Sequence, residues 1–547
     1  MKRDFAGLGA TEFDLLIIGG GITGACIARD AASRGLKVAL IEKRDFISAT
    51  SAAPSKLIHG GLRYLRNFEL GLVRESLAER RIWERIAPHQ VRPLPFLLPA
   101  DKKSKRLLGV GLTLYDLLSF DRNRVIDPEQ KLPGHKWLKA GAAAKLEPVL
   151  GSHAMAGAFL YYDCQMRSPE RLGLECLIDA YRNGATLANY VEATGFLRDG
   201  DTIKGAQVKD KITGAHSDIR ARITLNAAGP WADTLMGKAE GHAPSHHLLR
   251  SKGIHLITRQ LALRHAVTAA IPEEIGGGHL FLLPWRGKTI IGTTDIAYEG
   301  DPDELTVGPR EIPAYIAVIN RTVPGAELTR DDVIHAYAGL RPLIQDKAEP
   351  ENPYKASRKS EVVDHEDEEG PNGLFSAIGG KWTTSRRVAE NAVTRIAQRL
   401  GKDVPPSKTA ETPLPGGWID ALDPFFDAMN ARYTELSGAR LDELVFTYGS
   451  EVDVVAELAS NSAAMAERMT PDRGEIAAQF VHAARSEMAM TLEDAVFRRT
   501  GLGTLGHPGN DALAHAATLM GRELEWDEDR IEQELQDVQR LFYAEAG

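Results

Sequence analysis

The sequence predicts an α/β protein: a Rossmann-like layer interleaved with a mixed and antiparallel β layer, followed by a C-terminal all-helical domain. Three observations predict it. A glycine-rich turn sits between two short apolar runs near the N-terminus, strand-and-turn patterns alternate from about 155 to 345, and strand patterns cease after a Pro/Gly-rich break. The 547 residues suffice for two to four domains at roughly 100–200 residues each. The expected division is an interleaved nucleotide and substrate domain over 1–400, a linker over 401–417, and a helical domain over 418–547.

The first elements form a βαβ unit. FDLLII (13–18) is a buried strand, GGGITG (19–24) the turn, ACIARDAASRG (25–35) an amphipathic helix closed by Gly35, and KVALIE (37–42) a second strand. Gly19, Gly21 and Gly24 satisfy the G-x-G-x-x-G spacing. The first allows the tight turn, the second close approach of backbone to a pyrophosphate, and the third close helix–strand packing. Phosphates would sit on the helix N-terminus, and Glu42 would accept hydrogen bonds from a ribose diol, which disfavours a 2′-phosphate. Residues 70–145 are Arg-rich and mostly helical in pattern, interrupted by Pro88, Pro93, Pro95 and Pro99. VEATGFLRDGDTIKGAQVKD (191–210) and HLFLLPWRGKTIIGTTD (279–295) read as hairpins, the second turning at Arg286-Gly287-Lys288. Residues 361–378 read as two strands around an acidic tip, Asp364 to Glu369. The break is KDVPPSKTAETPLPGG (402–417), with helices beyond it.

Composition excludes several classes. A formal net charge of −9 argues against nucleic acid as the partner. Three scattered cysteines (Cys26, Cys164, Cys176) make neither a disulfide framework nor a thiolate cage, and they fit a reducing, cytoplasmic setting. No histidine pattern reads as a metal site, the His246-His247 pair included, so no metal is expected. The first twelve residues do not read as a secretory leader. The longest apolar stretch, Leu107–Leu118, contains Asp116 and is too short to span a bilayer.

Two further segments specify the dinucleotide. ITLNAAGPWAD (223–233) ends a buried strand in a small-residue turn. GLFSAIGGKWTTSRRVAENAVTRIA (373–397) runs a strand into Gly379-Gly380 and starts a helix near Lys381–Thr384 with Thr as its cap, a helix terminus suited to a reduced flavin. With TSAAPSKLIHGGLRYL (50–65), IIGTTD (290–295), YAGLRPL (337–343) and LEDAVFRRTGLG (492–503), the whole chain resembles the FAD-dependent, respiratory glycerol-3-phosphate dehydrogenases. The resemblance implies an FAD-binding domain. It assigns cofactor contacts to Gly19, Gly21, Ile22, Thr23, Gly24, Glu42, Lys43, Thr50, Ser51, Ser55, Lys56, Leu57, His59, Gly60 and Gly61. Further contacts fall to Val191, Ala228, Gly229, Trp231, Gly339, Arg341, Gly379, Gly380, Lys381, Trp382 and Thr383.

Several Arg and Lys in Gly-bounded motifs suit an anionic substrate, because guanidinium groups pair bidentately with phosphate. The resemblance implies that Arg63, Arg341, Arg358 and Lys381 hold the substrate phosphate and hydroxyls, with Tyr64 and Thr293 or Thr294 completing the pocket. It implies oxidation of sn-glycerol 3-phosphate to dihydroxyacetone phosphate, with His255, Lys381 and Arg341 as catalytic residues. His59 and Lys381 compete with His255 for the role of base, and Gly253-Ile254-His255 departs from the family's Gly-Ser-His, as Trp382 departs from its usual Leu. Related enzymes reduce a membrane quinone, so the expected partners are a polyol phosphate, quinone and the inner face of the cytoplasmic membrane, compatible with a homodimer. DKKSKRLLGVGLTLYDLL (101–118) reads equally as a lipid-docking helix or a core helix. Three alternatives stay open: another polyol phosphate such as erythritol phosphate, an oxygen-using oxidase, and a flavin-bearing protein without dehydrogenase chemistry.

Overall fold

The computed structural model describes residues 1–151, 154–240, 248–275, 277–344, 360–368 and 370–543. Along the chain run β1 (Glu12–Ile18), α1 (Ile22–Ser33), β2 (Val38–Ile41), α2 (Leu70–Ile86), β3 (Val91–Ala100), α3 (Ser104–Leu118), β4 (Gly157–Met166), α4 (Pro169–Arg182) and β5 (His216–Asn226). They are followed by β6 (Leu248–Thr258), β7 (His279–Trp285), β8 (Lys288–Gly292), β9 (Val333–Ile344), β10 (Ser360–Asp364), β11 (Leu374–Gly379) and α5 (Ser385–Leu400). Helices from Leu422–Arg432 to Glu528–Tyr543 complete it.

The first sheet has the order β10-β11-β5-β1-β2 and ends on the short strand Thr186–Ala188. β1 is parallel to both neighbours, with Ile17 opposite Leu40 on one side and Leu225 on the other. Its continuous apolar run is what a strand covered on both faces requires. One core joins Leu15, Ile17, Ile27, Leu40, Trp83, Phe375 and Ile396. The 191–199/202–210 hairpin extends β5, as the alternating pattern predicts.

The second sheet is antiparallel over most of its length: β9 pairs β6, β6 pairs β8, β8 pairs β7, and β4 pairs β3. Of the four prolines that read as an interruption, Pro93, Pro95 and Pro99 lie within β3 and Pro88 in the turn before it. Backbone N–H groups alternate edges along a strand, so Pro93, Pro95 and Pro99 share one edge. The fourth position on that edge, Leu97, is where strand Ala266–Ala270 pairs. At the second hairpin the turn is Arg286-Gly287, both left-handed, and Lys288 already belongs to β8.

Two other expectations change. Thr384 stands at the N-cap of α5 but caps nothing: its hydroxyl donates back to the Lys381 carbonyl, and a 3₁₀ turn over Trp382–Thr384 precedes the helix. The Pro/Gly-rich segment after α5 is strapped onto α1, where Arg29 donates to the carbonyls of Thr409 and Thr412 and Arg34 to that of Pro405. A buried ion cluster ties the far C-terminal region to the βαβ unit. Arg499 forks onto both oxygens of Asp45 at 2.7 and 2.8 Å, and Arg498 joins at 2.7 Å. These guanidiniums hold the Asp45 carboxyl at about 2, below its usual 3.8, despite burial.

α3 buries only Leu112 and Tyr115. Leu107 and Val110 are 74% and 70% exposed, and nearby Phe68 is 85% exposed. Among the described residues no helix is long and apolar enough to cross a membrane.

Candidate active site

A cavity of about 1880 Å³ opens at the carboxyl ends of β1 and β2, well beyond the ~300–1,000 Å³ of ordinary small-ligand pockets. Glycine is obligatory where the turn is tightest. Gly19 has φ +118° and a Cβ there would lie 2.4 Å from the Ala227 carbonyl oxygen, while a Cβ on Gly24 would lie 2.0 Å from that of Gly19. Gly24 therefore lets helix and strand touch and does not line the cavity. Gly21, Ile22 and Thr23 do, and Ser51 Oγ accepts from the Ile22 N–H at the start of α1. The Glu42 oxygens accept from the backbone N–H groups of Gly20 (2.7 Å) and Arg44 (2.9 Å), but burial prevails and raises the carboxyl above its ordinary value. Lys43 reaches the rim, where it pairs with Asp303 at 2.7 Å and lies over the Trp231 ring at 4.2 Å. These groups form the cradle an extended dinucleotide needs, and FAD fits it.

Thr50, Ser51, Ser55, Leu57, His59, Gly61, Val191, Ala228, Gly229, Gly339, Gly379, Gly380, Trp382 and Thr383 line the same cavity. Trp382 braces the 49–51 turn by donating to the Ser51 carbonyl (3.2 Å) and packs tilted against Trp83, with ring centroids 5.3 Å apart. Lys56 and Gly60 are placed behind the wall. Lys56 is buried beside Glu170 (3.3 Å), over the ring of Trp285 (4.9 Å), and burial lowers its ammonium below the usual range. Lys56 does not line the cavity because its ammonium turns to Glu170 and the Trp285 ring, and that acid lies 114 positions away, beyond any local pattern.

The expected substrate residues fall into two groups on the cavity wall. In one, Lys381 Nζ lies 4.0 Å from the Tyr64 ring centroid and donates to Ser76, while the Arg63 guanidinium lies 5.0 Å from that ring. In the other, Arg341 on β9 donates to Thr293 Oγ1 at 2.7 Å and to Ser251 Oγ and the Thr294 carbonyl at 3.2 Å. Gly253, opposite Gly339 in the β6–β9 register, leaves room for that guanidinium; a Cβ there would stand 2.2 Å from Arg341 Nη2. Arg358 and the His246-His247 pair lie outside the described residues.

His255 projects from β6 and is 2% exposed. Its ring stacks on Tyr337 at 4.9 Å, and its Nε2 is 2.8 Å from Ser55 Oγ. Burial, with Arg341 and Lys56 adding positive charge, pushes its pKa well below 6.5, so the ring is neutral at physiological pH. Sequence reasoning misses Tyr337, Ser76 and Asp163. The last lines the cavity, pairs with buried Arg80 (2.6 Å), and accepts from Tyr115 and the Gly60 N–H. The only local sign of this support was Gly60-Gly61 between charged neighbours.

Known proteins share this plan. Residues 14–386 match the family described as FAD dependent oxidoreductase, and residues 407–531 match the C-terminal domain of alpha-glycerophosphate oxidase. A glycerol-3-phosphate dehydrogenase of Synechocystis sp. is 35% identical, over 98% of this chain and 97% of its own. The mitochondrial glycerol-3-phosphate dehydrogenase of Homo sapiens is 33% identical, over 98% of this chain and 74% of its own. The X-ray structure of the glycerol-3-phosphate dehydrogenase from Bacillus halodurans complexed with FAD superposes with a TM-score of 0.78 at 29% identity, covering 98% of this chain and 96% of that one.

Proposed function

The chain belongs to the FAD-dependent glycerol-3-phosphate dehydrogenases, and on that premise we propose that it oxidises sn-glycerol 3-phosphate to dihydroxyacetone phosphate at a cytoplasmic membrane face, with a membrane quinone as electron acceptor. The observation that carries this reading is the convergence of Arg63, Lys381 and Arg341 with a neutral His255 on the cavity that the dinucleotide turn opens into.

Bound FAD supplies a two-electron acceptor. The chain supplies the rest. Arg341 and Arg63 bind the phosphate as charge-assisted donors, and Thr293 and Thr294 orient the hydroxyls. With Nδ1 protonated, the one lone pair of His255 Nε2 accepts from Ser55 Oγ at 2.8 Å, so Ser55, which lines the cavity, takes the proton of the secondary alcohol as it passes its own to Nε2. Lys381, held by Ser76 and Tyr64, stabilises negative charge on the substrate oxygen.

The quinone and membrane proposal rests on α3. Phe68, Leu107 and Val110 are solvent-exposed yet also line the cavity, and Lys102, Lys103, Lys105 and Arg106 at the start of the helix are mostly exposed. An apolar patch beside a basic cluster suits an anionic lipid surface. The test is anaerobic. Glycerol 3-phosphate is expected to bleach the flavin, and a short-chain quinone to restore its colour faster than air does. Bleaching only by a longer polyol phosphate would overturn the substrate, and faster reoxidation by air the acceptor. The Leu107→Glu/Val110→Glu protein should keep activity with a soluble dye while losing co-sedimentation with anionic vesicles. Unchanged co-sedimentation would remove α3 from the membrane contact.

A further inference from the structure

A proton relay through His255 requires its ring to keep one orientation, yet the χ2 torsion of a histidine is broad and roughly two-fold. A half-turn would bring Cε1 to the place of Nε2. Three neighbouring strands hold the orientation. In the pairing of β9, β6 and β8, Tyr337, His255 and Gly292 stand side by side. Neighbours across such a pair share one face of the sheet, so their side chains meet. Gly292 leaves the space the imidazole fills: a Cβ there would stand 2.7 Å from His255 Nε2 and 2.9 Å from its Cγ. On the other side the Tyr337 ring lies nearly parallel to the imidazole, with 12° between the planes and 4.9 Å between centroids. The ring is therefore held between an aromatic face and bare backbone, with Nε2 at Ser55.

Tyr337 also reaches the other member of the relay. Its hydroxyl donates to the Pro54 carbonyl at 3.0 Å, 283 positions away and one residue before Ser55. Tyr337 itself does not line the flavin cavity, so it acts through these neighbours. It is braced in turn. Lys56 lies 5.8 Å from its ring centroid, and His335, two residues earlier on β9, lies 6.3 Å from it and stacks on Phe497 of the C-terminal region at 6.2 Å.

We propose that Tyr337 is the positioning residue of the Ser55–His255 relay, holding the imidazole by its face and Ser55 through the Pro54 carbonyl. The role rests on that relay as the route of the substrate proton. The charged groups that face His255 are Arg341 from β9 and Lys56 from the segment after the 49–51 turn, the latter answered by Glu170 of α4. Both cations favour the neutral ring, as does burial, for which Tyr337 supplies one wall. Removing that wall admits water and raises the imidazole towards its ordinary value.

The test is the rate of anaerobic flavin bleaching at saturating glycerol 3-phosphate, which no electron acceptor influences, in the FAD-loaded Tyr337→Phe, Tyr337→Leu and His255→Gln proteins. Tyr337→Phe keeps the stack and loses the bond to Pro54. It should slow bleaching about 2- to 10-fold, with flavin content, half-saturating substrate concentration and a flat profile from pH 6 to 8 all retained. Tyr337→Leu should slow it about 100-fold and bring an inflection into that pH range, the rate falling on the acid side. In the His255→Gln background neither change should slow bleaching further, because the relay is already broken. A Tyr337→Leu protein that keeps its flavin and bleaches at the unmodified rate would overturn the role, as would a loss with a flat pH profile. If that protein does not retain flavin, Tyr337→Phe decides. A loss seen only when His255 is present supports the role, and an equal loss in both backgrounds overturns it. An unchanged rate in His255→Gln alone would overturn the relay and the role of Tyr337 with it.

Discussion

Replacing Gly253 by Ala isolates the role of Arg341 without touching it. The Gly253 backbone is one any residue can adopt, and Ala in a strand interior gains roughly 0.5–1 kcal/mol over Gly. The new methyl would lie 2.2 Å from Arg341 Nη2, 2.7 Å from its Cζ and 2.6 Å from Thr293 Oγ1. What must move is the tip of a flexible side chain, so the fold bears little of the cost. The displaced guanidinium loses its aim at the substrate phosphate, and a hydrogen bond to a charged group is worth about 1.5–3 kcal/mol. At 1.4 kcal/mol per tenfold, kcat/KM should fall about 10- to 150-fold, mostly through KM. The assay is steady-state reduction of a soluble dye by glycerol 3-phosphate, with flavin content and melting temperature measured on the same preparation. An unchanged KM would refute the placement of Arg341 at the phosphate. Loss of flavin would show that the Gly253–Arg341 contact serves the cofactor.

Other outcomes follow from the buried charges. His255→Gln should lower kcat about 10²- to 10⁴-fold with flavin retained, and kcat of the unmodified protein at saturating substrate should stay flat from pH 6 to 8, because the ring is already neutral there and kcat, unlike kcat/KM, does not carry the free substrate's own phosphate ionisation near 6; an inflection of kcat near 6.5 would contradict its environment. Asp45→Asn leaves the buried Arg499 guanidinium without its carboxylate, Arg498 keeping Glu493 and Asp494, and should cost about 3–5 kcal/mol in urea unfolding at pH 7. Asp45 titrates lower folded than unfolded, so its contribution is full above about pH 4 and drains as pH falls towards 2, a dependence the Asn protein should lack. Glu84 is the opposite case. Burial pushes its carboxyl up to about 8 and neither oxygen has a hydrogen-bond partner, so folding retains a proton that the unfolded chain releases. Stability should therefore fall between about pH 4.5 and 8, and Glu84→Gln should flatten that slope and stabilise the protein at pH 8. Parallel unfolding curves at pH 5 and 8 decide it.

The βαβ unit, both hairpins and the glycine turn were legible because each is a local pattern whose residues also do the packing. β3 was not, since prolines read as breaks until the neighbouring strands show that they share the edge where pairing is confined to Phe96 and Leu97. The site was legible as residue types in Gly-bounded motifs, but its support was not. Tyr337 under His255, Glu170 beside Lys56 and Gly253 facing Arg341 are fixed by pairings between distant segments, and no periodicity carries them. Thr384 shows the converse, a residue with every local mark of a cap whose hydroxyl the preceding turn claims.

The Asp45 clamp also orders events in time. Its arginines follow Asp45 by 453 and 454 positions. At roughly 5–20 residues per second, a ribosome needs about 20–90 s to deliver them after Asp45 has emerged. Throughout that interval the loop that follows Glu42 carries an acid answered by Asn189 Nδ2 but by neither arginine. The βαβ unit thus gains its clamp only when translation is nearly finished, and a chain terminated before Arg498 lacks it. Flavin loading of chains truncated before and after Arg498 therefore measures how far the cofactor site depends on that clamp.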